Sequence, residues 1–159
     1  MRKYTLSKSD SNEIMEFVNK KWSKNVLPEK LKNIQVIEVE ENNCVLTTSD
    51  FFAVKVEKNI LPLLTNENVL NSFPSVTIDM GAIRFICNGA NVMRPGIVST
   101  DEFNKDDIVV VKDNKHGKYL AVGIALVASK EVQTMLKGQV INNMHYVSDK
   151  FWKSYKENQ

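Results

Sequence analysis

Glycine is missing from the first 80 residues of this 159-residue chain, although the second half contains six. These are Gly81, Gly89, Gly96, Gly117, Gly123 and Gly138. Because glycine supplies positive φ and close backbone approach, the second half is expected to be rich in tight turns. The first half must turn with Asn, Asp, Ser and Pro instead. This change in composition predicts two small domains, residues 1–74 and 75–159, with their boundary near residues 71–75.

The chain also has few cysteines and no long apolar run. Cys44 and Cys87 lie far apart, and neither belongs to a CxxC pair, which argues against a structural zinc site. We interpret both as reduced, buried thiols. No apolar run approaches the roughly 20 residues that cross a bilayer, so no membrane partner is predicted. The N-terminal residues lack the apolar core of a secretory signal, and the expected location is the cytoplasm.

Signatures of common enzyme classes are missing as well. The chain contains no GxSxG, HExxH, P-loop or GxGxxG sequence. The acidic pairs Asp101-Glu102 and Asp106-Asp107 are interpreted as caps and solvated loop, and neither histidine has a neighbour at metal-ligand spacing. We therefore predict a non-enzyme with no catalytic residue, no metal and no cofactor.

The net charge is small, with 21 basic and 19 acidic side chains. Residues 1–75 hold ten of each sign, and residues 76–159 hold 11 basic and nine acidic side chains. So small an excess of basic residues excludes a polycationic tail and permits a local basic face. It does not establish nucleic-acid binding, because most surface charges only solvate the protein.

The first half has the pattern of a compact α+β module. A helix is predicted after a cap at Ser9 or Asp10, with the apolar stripe Ile14, Met15, Phe17, Val18 and Trp22 at helical spacing. Short β-branched or aromatic runs predict antiparallel strands at residues 34–39, 44–47 and 51–56. A leucine-rich segment, residues 60–70, is interpreted as a short helix that closes the sheet.

The second half is mostly strand. A short helix is predicted at residues 81–88, capped by Asp79 and stopped by Gly89, where a positive φ is expected. Another is predicted at residues 129–136, capped by Ser129. Strands are predicted at residues 76–79, 92–98, 108–112, 119–128 and 139–147. Many short strands with two short helices are typical of a small closed barrel, so the fold class is α+β, with a β pseudo-barrel in the second half.

The most specific pattern is residues 79–96, DMGAIRFICNGANVMRPG. It resembles the signature of the PUA domain, named for pseudouridine synthases and archaeosine transglycosylases. That signature is an acidic residue, Gly-Ala, a short helix, a second Gly-Ala, a polar residue, two apolar residues and Pro-Gly. The resemblance covers about half of the chain and implies an RNA-binding domain.

A closer resemblance extends over nearly the whole length. Residues 89–96 followed by residues 143–152, NMHYVSDKFW, resemble the translation-factor family of the malignant-T-cell-amplified-sequence protein and ligatin. Members place a small α+β domain before a C-terminal PUA domain. The resemblance implies binding to small-subunit rRNA or to the acceptor end of a tRNA, in initiation, re-initiation or recycling. It also allows a protein partner for the N-terminal domain.

Ten residues are the candidate RNA contacts: Arg84, Asn88, Gly89, Ala90, Asn91, Arg94, His145, Tyr146, Lys150 and Lys153. The arginines and lysines suit phosphates, the asparagines suit 2′-hydroxyls and base edges, and the aromatic rings suit stacked bases. The glycine and alanine keep the surface low for an approaching RNA backbone.

Each candidate also has a purely structural interpretation. The glycine serves the fold whether or not RNA binds, the arginines suit any surface, and a packed or capping histidine is an ordinary feature. The aromatic and lysine-rich chain end can instead dock onto its own domain. Two other functions stay open: a PUA subunit that targets an RNA-modification enzyme to tRNA, and a protein-interaction adaptor.

Overall fold

A computed structural model describes residues 2–159, which divide into two compact units. The first comprises residues 2–72 together with 150–159, and the second comprises residues 73–149. The sequence-based division placed residues 150–159 in the second domain, whereas the structure places them in the first unit. Phe151 is buried there, and Tyr155 packs edge-on against Phe52 with ring centroids 5.9 Å apart. This contact spans about a hundred residues of sequence, so no local pattern could reveal it.

The described chain contains eleven strands and five α-helices, which confirms the predicted α+β class. In chain order they are β1 (Lys3–Thr5), α1 (Lys8–Lys21), β2 (Gln35–Glu40), β3 (Asn43–Thr47), β4 (Phe52–Val56), β5 (Asn59–Pro62), α2 (Glu67–Leu70), β6 (Ser75–Ile78), α3 (Ile83–Ile86), β7 (Val92–Met93), β8 (Ile97–Thr100), β9 (Ile108–Asp113), β10 (Tyr119–Ala125), α4 (Ser129–Val132), β11 (Gln139–Tyr146) and α5 (Lys150–Glu157). Single 3-10 turns lie at Lys24–Val26, Met80–Ala82 and Arg94–Gly96. None of these helices is long and apolar enough to cross a lipid bilayer.

The first unit is an antiparallel sheet in the order β1-β2-β3-β4-β5 with helices α1, α2 and α5. Helix α1 is capped by Ser7, whose Oγ accepts from the Asp10 amide, rather than by Ser9 or Asp10. Its predicted apolar stripe is only partly right: Ile14 and Val18 are buried, and Trp22 just beyond the helix donates its Nε1–H to the Ile60 carbonyl at 2.9 Å.

Strands β2 to β4 confirm the predicted strands within one residue at each end, but the predicted helix over residues 60–70 is wrong. Residues 59–62 form β5 instead, because they complete the hydrogen bonds of β4. Pro62, which lacks an N–H, ends that strand, and only Glu67–Leu70 is helical, with Asn66 as its cap. The three-residue edge strand β1 has no signal in the sequence.

The second unit is a curved sheet in the order β7-β11-β10-β9-β6-β8, in which only β6 and β9 pair in parallel. The predicted strand over residues 92–98 is interrupted by a 3-10 turn, because Pro95 has no N–H to donate to a ladder. The predicted strand over 119–128 ends at Ala125, and the helix predicted for 129–136 has a single turn. Ser129 does not cap it; its hydroxyl bonds to the backbone of Phe103.

Cys44 and Cys87 are both free thiols, half-buried rather than fully buried. Burial raises the pKa of Cys44 to about 11 and also raises the pKa of Cys87. Both therefore stay protonated at neutral pH and are poor nucleophiles. Within residues 2–159, no three His, Cys, Asp or Glu side chains are grouped as a metal site would require.

Candidate nucleic-acid interface

The predicted PUA-like segment forms one side of the second unit. Asp79 accepts the Ala82 amide on its carboxylate at 3.0 Å and so starts the 3-10 turn that leads into α3, the role predicted for it. The helical segment predicted for residues 81–88 is this 3-10 turn followed by the single turn of α3. Ile86 points into the core, whereas Arg84 and Phe85 on the same helix face solvent.

Gly89 ends this helical segment with a φ of +95°, the positive value that the sequence predicted. A Cβ at this position would lie 3.3 Å from Cε1 and 3.4 Å from the hydroxyl oxygen of Tyr146. Tyr146 is half-buried and packs against the core of the unit. The glycine and the tyrosine are therefore packing partners, which gives both a structural role.

Asn91 belongs to a group of hydrogen-bonded side-chain amides, which we call the amide clamp. Its Oδ1 accepts the Asn143 amide and its Nδ2 donates to Oε1 of Gln139, each at 2.9 Å. The side chain of Asn143 in turn donates to the carbonyls of Ile86 and Ala90, both at 3.0 Å. This clamp fixes the loop after α3 against β11, so Asn91 has a positioning role, and its predicted contact with RNA stays a prediction.

Arg94 is likewise held by the protein itself. Its Nε donates to the carbonyl of Val132 at 2.6 Å, and Nη1 lies 3.4 Å from the carbonyl of Ile97. The side chain joins the end of α4 to the start of β8. Arg94 thus links two elements of the second unit, and its predicted contact with RNA stays a prediction.

This role predicts that Arg94→Lys lowers the free energy of unfolding by about 1.5–3 kcal/mol, the usual worth of hydrogen bonds from a charged donor. Lysine keeps the charge but cannot reach both carbonyls with one planar group. Urea denaturation measures the change, with Arg84→Lys as the exposed control. An unchanged midpoint for Arg94→Lys would contradict the link.

His145, another predicted contact, is completely buried. Its Nδ1 lies 2.8 Å from Oδ2 of Asp149, and the same carboxylate oxygen accepts the Tyr146 amide at 2.8 Å. An RNA outside the protein cannot reach this ring. The packed histidine that the sequence left as an alternative is the correct interpretation.

Two candidate lysines lie in the first unit, on α5. Lys150 Nζ is 2.5 Å from Oε2 of Glu40, and Lys153 is exposed. The pairing with Lys150 lowers the pKa of Glu40. The structure therefore groups these lysines with the N-terminal unit. Among the predicted contacts of the second unit, Arg84, Asn88 and Ala90 are exposed, and Gly89, Asn91, Arg94 and Tyr146 are partly exposed.

A shallow groove of about 400 Å³ follows the PUA-like segment. We define this motif groove by five of its lining residues: Ala82, Phe85, Ala90, Met93 and Pro95. Phe85 and Met93, which both line this groove, are each about half exposed, which is unusual for large apolar side chains grouped on one surface. Sequence reasoning missed Phe85 and Met93 as site residues, because apolar residues of a predicted helix or strand normally face the core.

Arg84 lies beside this groove. Its guanidinium carbon is 4.9 Å from the centroid of the Phe85 ring, and among the described residues no carboxylate forms an ion pair with it. An unpaired cation stacked on an exposed aromatic ring offers one phosphate contact and one stacking surface side by side.

Comparison with known proteins agrees with this geometry. The PUA domain model matches residues 74–147. An uncharacterized protein of Methanocaldococcus jannaschii is 36% identical over 95% of both chains. Translation machinery-associated protein 20 of Schizosaccharomyces pombe is 37% identical over 55% of this chain and 51% of its own, and human malignant T-cell-amplified sequence 2 is 28% identical over 85% and 79%.

A solved structure extends the likeness to the fold of the whole chain. The crystal structure of a hypothetical protein from Pyrococcus horikoshii superposes with a TM-score of 0.78 at 29% identity, covering 96% of this chain and 98% of the other. Taken with the sequence matches, this shows that the chain belongs to the family of PUA-domain proteins that includes translation machinery-associated protein 20 and the malignant T-cell-amplified sequence proteins.

Proposed function

We propose that this protein is a non-enzymatic, cytoplasmic RNA-binding factor of translation that docks on the small ribosomal subunit or the acceptor end of a tRNA through the motif groove. The observation that carries the proposal is the exposed Phe85 ring with the unpaired Arg84 above it, at the edge of an open groove in a PUA domain. The name of one relative, translation machinery-associated protein 20, supports a role in translation.

The chemistry of the groove suits an unpaired nucleotide. An aromatic ring stacks on any base, and such stacking contributes about 1–3 kcal/mol per base. The Arg84 guanidinium can bind the adjoining phosphate, and the exposed Asn88 amide can reach a base edge or a 2′-hydroxyl. Ala90 keeps the wall of the groove low, so a sugar-phosphate backbone can approach. The groove therefore fits the end or loop of a folded RNA rather than a regular duplex.

The first test removes the stacking ring. We expect Phe85→Ala to weaken binding of unfractionated tRNA or purified small ribosomal subunits by roughly 5- to 150-fold, the equivalent of one lost base stack. Fluorescence anisotropy with labelled tRNA and co-sedimentation with subunits measure the two affinities. Leu136→Ala is the matched control, because Leu136 is 92% exposed in the same unit but lies outside the motif groove.

The second variant tests the cation. Arg84→Gln should reduce the slope of log Kd against log salt by about 0.7–0.9, the value of one phosphate contact. Lys105→Gln, an exposed charge change in the same unit, should leave the slope unchanged. Equal behaviour of Phe85→Ala, Arg84→Gln and their controls would reject the motif groove as the RNA site. A partner protein that binds equally well to all four variants would favour the adaptor function instead.

A further inference from the structure

The first unit carries the positive charge that the sequence had assigned to the second half. Residues 73–149 hold eight basic and eight acidic side chains, whereas residues 1–72 with 150–159 hold 13 basic and 11 acidic ones. The excess of basic residues falls in the first unit because α5, with its three lysines, belongs to that unit. The PUA unit thus has no net charge, and the net positive charge of the chain lies in the N-terminal unit.

One groove on the first unit concentrates this charge. It encloses about 440 Å³, and we define this lysine groove by Lys8, Lys30, Lys32, Asn12 and Asn33. Lys8 is the first residue of α1, whereas the other two lysines lie in the segment between α1 and β2, so the fold brings them together from separate parts of the chain. Met15 and Leu31 add an apolar lining, and Glu29 is its one acidic lining residue.

These three lysines lack acidic partners. The ion pairs among residues 2–159 join Arg2 to Glu38, Lys150 to Glu40 and His145 to Asp149, and none involves the groove lysines. All three are exposed. Three ammonium groups and one carboxylate line this groove, so its net charge is positive and favours an anionic occupant.

We propose that the lysine groove binds the phosphodiester backbone of the same RNA that the motif groove recognises, which makes the N-terminal unit a second RNA contact. This inference rests on the proposed function. Ammonium groups bind phosphate oxygens, and the Asn12 and Asn33 amides both donate and accept, as 2′-hydroxyls require. Positive φ at Asn33 turns the chain into β2 at the groove. The lysine groove supplies affinity without sequence selectivity, and the motif groove supplies the selective contact.

The test is the triple variant Lys8→Gln, Lys30→Gln and Lys32→Gln in the full chain. Loss of three phosphate contacts should lower the slope of log Kd against log salt by about 2–3. Between 50 and 200 mM KCl, the affinity of the parent for labelled tRNA or small subunits should then fall roughly 20- to 40-fold more than that of the variant. All three positions are exposed, so the melting temperature should stay that of the parent.

The matched control is Lys20→Gln, Lys21→Gln and Lys24→Gln. These residues are also exposed and carry the same charge. Lys20 and Lys21 lie at the far end of α1, about 20 Å along the helix from Lys8, and Lys24 lies in the 3-10 turn that follows. The control should keep a slope near the parental one. An equal fall in both triple variants would show diffuse attraction and overturn the lysine groove as a site.

The two proposals can fail separately. If the lysine triple keeps the parental slope while Arg84→Gln and Phe85→Ala weaken binding, only the second contact is rejected, and the lysine groove would have to serve another anionic partner such as an acidic protein. If the parent binds neither tRNA nor small subunits at 50 mM KCl, the proposed function and this inference both fail.

Discussion

His145→Ala is expected to lower the free energy of unfolding of the second unit by about 3–5 kcal/mol, because it removes one partner of a buried pair. The imidazole is wholly buried, and Asp149 is almost so. Without the ring, the carboxylate keeps only part of its hydrogen bonding, and a cavity of side-chain size remains. For a unit of this size, the melting temperature should fall by roughly 12–40 °C.

Differential scanning calorimetry measures this loss, and two variants define its cause. His145→Asn places an amide nitrogen the same number of bonds from Cα as Nδ1, so it can restore the bond to Asp149 and should lose clearly less stability. His116→Ala removes the other histidine, which is exposed at the β9–β10 turn, and should melt with the parent. A melting temperature of His145→Ala within a few degrees of the parent would show that the pair of His145 and Asp149 contributes little to stability.

Gly89→Val is expected to cost at least about 3 kcal/mol. A residue other than glycine at positive φ costs about 1–3 kcal/mol, and a β-branched side chain is among the least tolerant. The added atoms also meet the Tyr146 ring, which lies 3.3 Å from the position of the first of them. Since the ring packs against the core, it has little room to move away.

Gly117→Ala measures the free-energy cost of a positive φ by itself, without a steric contact like the one between residue 89 and Tyr146. Gly117 also has a positive φ, +65°, but a Cβ there meets nothing within 4 Å. Its substitution should cost only about 1–2 kcal/mol. Thermal melts of the two variants should therefore differ, and a Gly89→Val protein as stable as Gly117→Ala would contradict the packing of Gly89 against Tyr146.

The candidate site could be located from the sequence, but the roles of its residues could not. Asp79, Gly89 and Pro95 mark the start of the helical segment, its end and the following turn. Each residue type has its own effect on the local backbone, so a short sequence pattern is enough to locate them. Arg94 and Asn91 look like surface polar residues in that same pattern. Their partners, Val132, Gln139 and Asn143, lie about 38–52 residues away, and only the folded sheet brings them within hydrogen-bond distance.

The fold shows the same division. The strands β2 to β4 follow from alternating β-branched residues, whose period is local. The segment at residues 60–62 has an equally apolar composition, and its strand state depends on the unpaired edge of β4 that it completes. A leucine-rich run cannot distinguish these outcomes, because hydrophobic burial drives both helix and strand formation.

The sequence by itself determined the α+β class, the PUA-like segment, the left-handed turn at Gly89 and the absence of familiar catalytic signatures. These features depend on residue type and short spacing. The tertiary structure alone decided that α5 belongs to the N-terminal unit, that His145 is buried, that Phe85 and Met93 are exposed, and that three lysines share one groove. Those properties depend on which surfaces meet after folding, and burial and charge pairing arise from contacts between residues far apart in the chain.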